Sequence, residues 1–203
     1  MGKKREETYV DYKLLAQLSN SQVAEKLIDN YNTLENIIMN SHSEELDFIE
    51  EINETVITQI GIIKKIVNRI LNKEQKAIQK INSPAEVYTY CKDMIFYEQE
   101  VLRLIMLNIK GEIIKSMDIV KGSVTNSTIS AKEVYCHPLR ARASAIVLAH
   151  NHPSKNPEPS QLDIDWTREI IAAGNLLNIE LIDHIIVAKN GGLSLKEEID
   201  WHE

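Results

Sequence analysis

Residues 147–163, VLAHNHPSKNPEPSQLD, are the stretch on which the reading of this chain turns. A short apolar run from Ala145 to Ala149 leads into His150-Asn151-His152-Pro153, and Asp163 follows across a loop. In extended backbone, residues i and i+2 project from the same side, so His150 and His152 can aim both imidazoles at one point. Pro153, Pro157 and Pro159 stiffen the connection. Ser160 reads as the N-cap of a helix that opens Gln161-Leu162-Asp163, which places Asp163 in the first turn, facing back toward the histidines. Two imidazole nitrogens and a carboxylate form a zinc donor set. Three protein ligands leave a fourth position for water, as in catalytic rather than structural zinc. The expected ligands are therefore His150, His152 and Asp163, with Zn2+ as the cofactor.

The spacing H-x-H-x7-S-x2-D resembles the JAMM (MPN+) metalloprotease signature, and the segments HNHPS, PSQLDI and IELIDHIIVA resemble the RadC family, from about residue 83 to about residue 196. The resemblance implies an α/β domain with the three-layer α/β/α fold that JAMM proteins share with cytidine deaminases. It also implies hydrolysis of an amide or isopeptide bond in a peptide substrate, with a glutamate base placed just before a core strand. Glu100, directly ahead of Val101-Leu102-Arg103-Leu104-Ile105-Met106-Leu107, occupies that place. Glu98 and Glu112 stay open as alternatives, because strand register read from sequence slips by a residue or more. On the resemblance, Glu100 deprotonates a zinc-bound water for attack on the carbonyl carbon and then returns the proton to the leaving amine, while the Ser160 hydroxyl stabilises the oxyanion.

Plainer readings stand beside these. Glu100 can be a solvated carboxylate at a strand start, Ser160 a helix cap only, and the histidines polar loop residues bonded to backbone. Asn151 is expected to orient the loop by hydrogen bonding. His184, beside Asp183 in an apolar strand pattern, reads as a core histidine or a support behind a ligand, since the three-ligand set is complete without it. Cys136-His137-Pro138 matches no metal spacing. A deaminase would need H-x-E and a later P-C-x-x-C, and neither occurs. The remaining alternative, carried by the RadC resemblance, is a DNA-repair or recombination accessory protein whose zinc domain is structural or regulatory.

At 203 residues, 43% hydrophobic and 26% charged, the chain can bury one sizeable core or two modest ones. No apolar run approaches the ~18 residues of a membrane helix, and MGKKREETYVDYK lacks the apolar segment of a secretory signal, so a cytoplasmic protein without a membrane partner is expected. Cys91 and Cys136 lack C-x-x-C spacing and are expected to stay reduced. The net charge of −7 is spread along the chain: residues 1–82 hold 11 Lys/Arg against 13 Asp/Glu, and residues 83–203 hold 12 against 17. Neither half has the basic balance of a nucleic-acid binder. Lys3-Lys4-Arg5 and Lys64-Lys65 with Arg69 read as solvated helix faces or a terminus.

From Val10 to about Ile81 apolar residues recur at three and four, which predicts a small all-helical domain over residues 1–82. Asn20 or Ser21 and Thr33 are its cap candidates, Ser43 opens SEELDFIEE, and a longer helix runs from Val56 to Ile70. The region weakly resembles the helix-hairpin-helix of RadC-like proteins. Where that motif has glycines exposing N–H groups to phosphate, this chain has Glu51-Ile52-Asn53. Asn53 can turn left-handed, but Glu51 adds negative charge, which leaves direct DNA binding doubtful.

Ser83-Pro84-Ala85-Glu86 reads as a capping box opening the second domain, residues 83–203. Val101–Ile109 and Glu112–Val120 read as a hairpin. Ser130 caps a helix toward Ala143 that Pro138 should kink or divide. Ala145–Ala149 is a strand, Gln161–Ala173 a helix stopped by Gly174, Glu180–Ala188 a strand, and Asn190-Gly191-Gly192 a turn into a short last strand. An open strand edge leaves room for a homodimer.

Overall fold

The computed structural model describes residues 2–122 and 129–201. The chain divides into two compact units, Met1–Asn72 and Lys73–Glu203. The first consists of α1 (Gly2–Leu18), α2 (Ser21–Tyr31), α3 (Leu34–Asn40), α4 (Ser43–Leu46) and most of α5 (Glu54–Ala77), so the division falls inside α5, upstream of the Ser83 cap. The Asn20 and Thr33 side chains accept from the Val23 and Asn36 amides, the capping that their residue types favour. Apolar residues at three-and-four spacing then meet in one core of Leu15, Val23, Ala24, Leu27, Ile37, Leu46, Val56 and Ile60.

The turn before α5 departs from expectation. The helix that Ser43 opens is only one turn long, ending at Leu46, with His42 at its cap. Asn53 is spent as the α5 cap, its Oδ1 accepting from the Val56 amide at 3.0 Å, and the left-handed residue is Glu51, at φ 75°. The Glu51 carboxylate lies 3.6 Å from Lys26 Nζ.

The second unit carries the sheet. Its elements are α6 (Pro84–Tyr90), a 3-10 segment (Lys92–Phe96), β1 (Val101–Leu107), β2 (Ile113–Lys121), α7 (Ala131–Ala141), β3 (Ala145–Asn151), α8 (Gln161–Leu177), β4 (Glu180–Ala188), β5 (Gly191–Ser194) and α9 (Leu195–Glu198). The strand order is β2-β1-β3-β4-β5, with β3 and β4 parallel and the other neighbours antiparallel. β1 and β3 are buried along their whole length, as strands covered on both faces must be. Leu102, Leu104, Met106, Ile146 and Leu148 pack with Tyr135 of α7 and Trp166 and Ile170 of α8. Their strand neighbours Val101, Ile105, Val147 and Ala149 pack with Val87, Cys91 and Met94 on the opposite face. Helices therefore cover both faces, and the α/β/α layering expected from the resemblance is present beside an all-helical N-terminal unit.

Division of α7 at Pro138 and a stop of α8 at Gly174 are corrected. α7 runs undivided through Pro138, which is buried with Val134 and Tyr135 and whose carbonyl accepts from the Ala143 amide at 3.0 Å. Tertiary burial near the helix end outweighs one missing N–H. Gly174 does not stop α8, which continues to Leu177 and ends at Asn178 in the left-handed conformation, φ 53°. Glycine is needed at 174 for space: a Cβ there would lie 2.3 Å from the Tyr135 hydroxyl and 2.6 Å from the Ile179 carbonyl.

β4 contains a bulge. Ile146 pairs with Leu181 and Val147 with Asp183, so Ile182 is an extra residue on the β4 side. The bulge reverses the alternation that follows it and turns His184 onto the α8 face of the sheet, the face that His150 also occupies. Among the described residues no helix is long and apolar enough to cross a membrane.

Candidate metal centre

His150 is the penultimate residue of β3, His152 lies just beyond the strand, and Asp163 sits in the first turn of α8. One donor atom from each lies within 4.8 Å of the others. The two Nε2 atoms are 2.9 Å apart, Asp163 Oδ1 is 3.5 Å from His150 Nε2, and Asp163 Oδ2 is 3.7 Å from His152 Nε2. The structure thus brings together all three residues that the spacing pointed to.

Each donor is aimed by a partner behind it. His152 Nδ1 lies 2.9 Å from the Asn156 carbonyl, which can only accept, so the ring proton sits on Nδ1 and Nε2 presents its lone pair. Ser160 holds Asp163 by a reciprocal capping box: its N–H and hydroxyl donate to Oδ2 at 2.8 and 2.6 Å, and its Oγ accepts from the Asp163 amide at 3.2 Å. Oδ2 is thereby occupied, and Oδ1 is left facing His150. His150 Nδ1 lies 2.8 Å from His184 Nε2.

The electrostatics agree with the geometry. Burial opposes the Asp163 charge, yet His152, His150 and the Ser160 hydrogen bonds outweigh it and hold this carboxyl well below the ordinary carboxylate range. His152 is raised, chiefly by Asp163, with the Asn156 carbonyl and Glu100 adding to it. His150 is lowered to about 4 by burial, the nearby Asp163 notwithstanding. Two imidazole Nε2 atoms and a carboxylate converge on one point, an arrangement that calls for a cation. A metal ion fits it, and a proton on His152 is the substitute.

Glu100 precedes β1, whose Leu102 pairs with His150, so its backbone lies at the metal end of the sheet. Its carboxylate is near enough to contribute to the raised pKa of His152. Glu98 is exposed on the same segment. Glu112 lies at the opposite end of the hairpin, next to Ile113, which pairs with Leu107, and its carboxylate accepts from Asn108 Nδ2 at 2.7 Å. The structure does not bring Glu112 to the site.

Asn151 does more than shape its own loop. Its Oδ1 accepts from the Val101 amide at 2.8 Å, and its Nδ2 donates to the Tyr97 and Gln99 carbonyls at 3.3 and 3.1 Å. A residue between two metal-facing histidines therefore clamps the segment that carries Glu100. Sequence reasoning missed Thr167, whose Oγ1 lies 2.7 Å from His184 Nδ1 and donates to the Asp163 carbonyl at 2.6 Å. The available signal was its spacing, one turn after Asp163 on α8.

Comparison with known proteins agrees with this picture. Residues 81–200 match the RadC-like JAB domain. A UPF0758 protein of Thermotoga maritima is 30% identical over 161 residues, 79% of this chain and 72% of the relative. A UPF0758 protein of Caldanaerobacter subterraneus is 33% identical over 177 residues, 87% and 76% of the two chains. One from Clostridium botulinum is 32% identical over 179 residues, 87% and 78%. With the RadC-like JAB domain matched over more than half of the chain, and a His-His-Asp cluster able to hold a metal ion within it, this chain belongs to the RadC family and carries its JAMM-type domain.

Proposed function

We propose that this chain is a zinc-dependent metallopeptidase or isopeptidase. The observation that carries the reading is the convergence of His150 Nε2, His152 Nε2 and the Asp163 carboxylate within 4.8 Å, each aimed by its own hydrogen-bond partner. Two imidazoles and one carboxylate are a borderline donor set that suits zinc over calcium or magnesium, which prefer all-oxygen sites. Zinc, when bound, supplies a Lewis acid and lowers the pKa of water to about 7.

The chain's own residues do the rest. Glu100 accepts the proton of the attacking water on its carboxylate and returns it to the leaving amine nitrogen. Asn151 fixes where that carboxylate starts, by holding Val101 N–H and the Tyr97 and Gln99 carbonyls. The Ser160 hydroxyl, which donates to Asp163 Oδ2, can rotate about its Cβ–Oγ bond to turn its proton to a carbonyl oxygen that is gaining charge, while the Ser160 N–H keeps Oδ2 bonded.

Direct DNA contact is left out of this reading. The α4–α5 turn places Glu51 at the left-handed position, where its carboxylate opposes a phosphate.

Elemental analysis of untagged protein beside His152→Ala tests the metal, and cleavage of peptide and isopeptide libraries beside Glu100→Ala tests the chemistry. About one zinc per chain, lost in His152→Ala, with cleavage lost in Glu100→Ala, is the expected result. A wild-type protein that neither retains nor takes up zinc sinks the reading.

A further inference from the structure

Behind the metal-facing side of His150 runs a buried polar chain that crosses three elements. From α8, the Thr167 hydroxyl donates to the Asp163 carbonyl at 2.6 Å. Thr167 Oγ1 lies 2.7 Å from His184 Nδ1, and His184 Nε2 lies 2.8 Å from His150 Nδ1. Thr167, His184 and His150 are all 0% exposed. None of the links is local in sequence except Thr167 to Asp163, so the tertiary fold has assembled the chain.

The Thr167 hydroxyl has one proton and two neighbours, and its shorter contact, 2.6 Å, is to the Asp163 carbonyl, which can be a hydrogen bond only if the proton points there. With that proton so placed, the direction of the others follows. Thr167 Oγ1 can then only accept from His184, which puts the His184 ring proton on Nδ1. A buried neutral imidazole has one N–H, so His184 Nε2 is bare and takes its hydrogen from His150 Nδ1. His150 is left with its lone pair on Nε2, the atom that faces His152 and Asp163.

We propose that Thr167 and His184 form a proton-ordered relay, anchored on the Asp163 carbonyl, that locks His150 in the Nδ1–H tautomer and keeps Nε2 a metal donor. Both are positioning residues and neither touches the metal. The proposal rests on His150 being a metal ligand. It also assigns a purpose to the β4 bulge at Ile182: were Ile182 to take part in regular alternation after Leu181, His184 would face the opposite side of the sheet. The relay ties the ligand on α8 to the ligand on β3 through β4, so that the donors are aligned before a metal arrives.

Thr167→Val removes the hydroxyl at constant shape and leaves His184 free to reverse. Thr167→Ser keeps the hydroxyl, and His184→Phe removes the link while keeping a ring. Long-range 1H–15N NMR of the metal-free proteins reads the His150 tautomer, and competition with a chromophoric chelator reads zinc affinity. The relay predicts a single Nδ1–H form in wild type and Thr167→Ser, and a mixed or reversed form in Thr167→Val. Zinc affinity should fall about 10–100-fold in Thr167→Val and His184→Phe and stay near wild type in Thr167→Ser. Thr167→Val guards against a His184→Phe protein that fails to fold. An Nε2–H form of His150 in the wild type overturns the relay, as does unchanged tautomer and affinity in Thr167→Val. A wild type with the predicted tautomer but no zinc uptake defeats the hydrolase reading and leaves the relay standing, so the two failures are distinguishable.

Discussion

His150 shows what burial does to a single titratable side chain. In the unfolded chain it binds a proton below about 6.5, and in the metal-free fold only below about 4. Between those values the unfolded state holds the extra proton, so stability falls as pH drops through that window. The shift corresponds to about 3 kcal/mol. His184, lowered by burial above all, adds to the loss. His152 is raised and works the other way, giving stability at low pH that fades as pH rises, but it opposes two buried rings. The urea midpoint of metal-free protein should therefore fall between pH 6.5 and about 4, and a flat or rising midpoint would contradict the neutral buried pair. Asn151, 1% exposed, gives a second residue-level expectation. Asn151→Ala strands the Val101 N–H and two carbonyls and should cost about 2–3 kcal/mol in urea unfolding. Asn151→Asp should not restore it, since a carboxylate cannot donate to the Tyr97 and Gln99 carbonyls. Full restoration by Asp would remove the clamp from the account.

Elements with strong periodicity or caps were legible in the sequence. β4 spans Glu180–Ala188 as its apolar pattern indicates, and Asn20, Thr33, Ser83, Ser130 and Ser160 cap their helices. The His-His-Asp trio was legible for a related reason: its geometry is local, one residue near the end of a strand, one just beyond it on the same side, and one in a helix's first turn. What the sequence could not display are features decided by neighbours distant in the chain. The β4 bulge shows only when Ile146 and Val147 are seen to pair with Leu181 and Asp183, and it alone tells that His184 faces the site. The same limit explains Gly174, which resembles a helix stop but is a contact point for Tyr135, whose hydroxyl donates to the Ile170 carbonyl. Gly174→Ala is favourable for an isolated helix by up to about 1 kcal/mol. Here the added methyl group meets the Tyr135 hydroxyl and Ile179 backbone, and the protein should lose about 1–3 kcal/mol instead. A stabilised Gly174→Ala protein in thermal unfolding would show that helix propensity outweighs that close approach.

At the scale of the molecule, the two units have separate cores, one around Leu27 and Ile37 and the other around the β1–β3 sheet. All three metal-facing residues belong to the second unit, so a bound ion stabilises that unit by mass action, about 2.7 kcal/mol at a free concentration one hundred times its Kd. The sequence supplies a reporter: its two tryptophans are Trp166 and Trp201, both in the second unit, and Trp166 lies edge-on to His184 at 5.7 Å between ring centroids. Zinc should therefore raise the urea midpoint read by tryptophan fluorescence, and chelation should reverse it. Residue-resolved hydrogen exchange separates the units. Amides of Leu104 and Leu148 should gain protection with zinc, while those of Leu27 and Ile37 should not. Equal gains in both sets would mean that the two units unfold as one cooperative body, and metal loading would then control the stability of the entire chain rather than of its second unit.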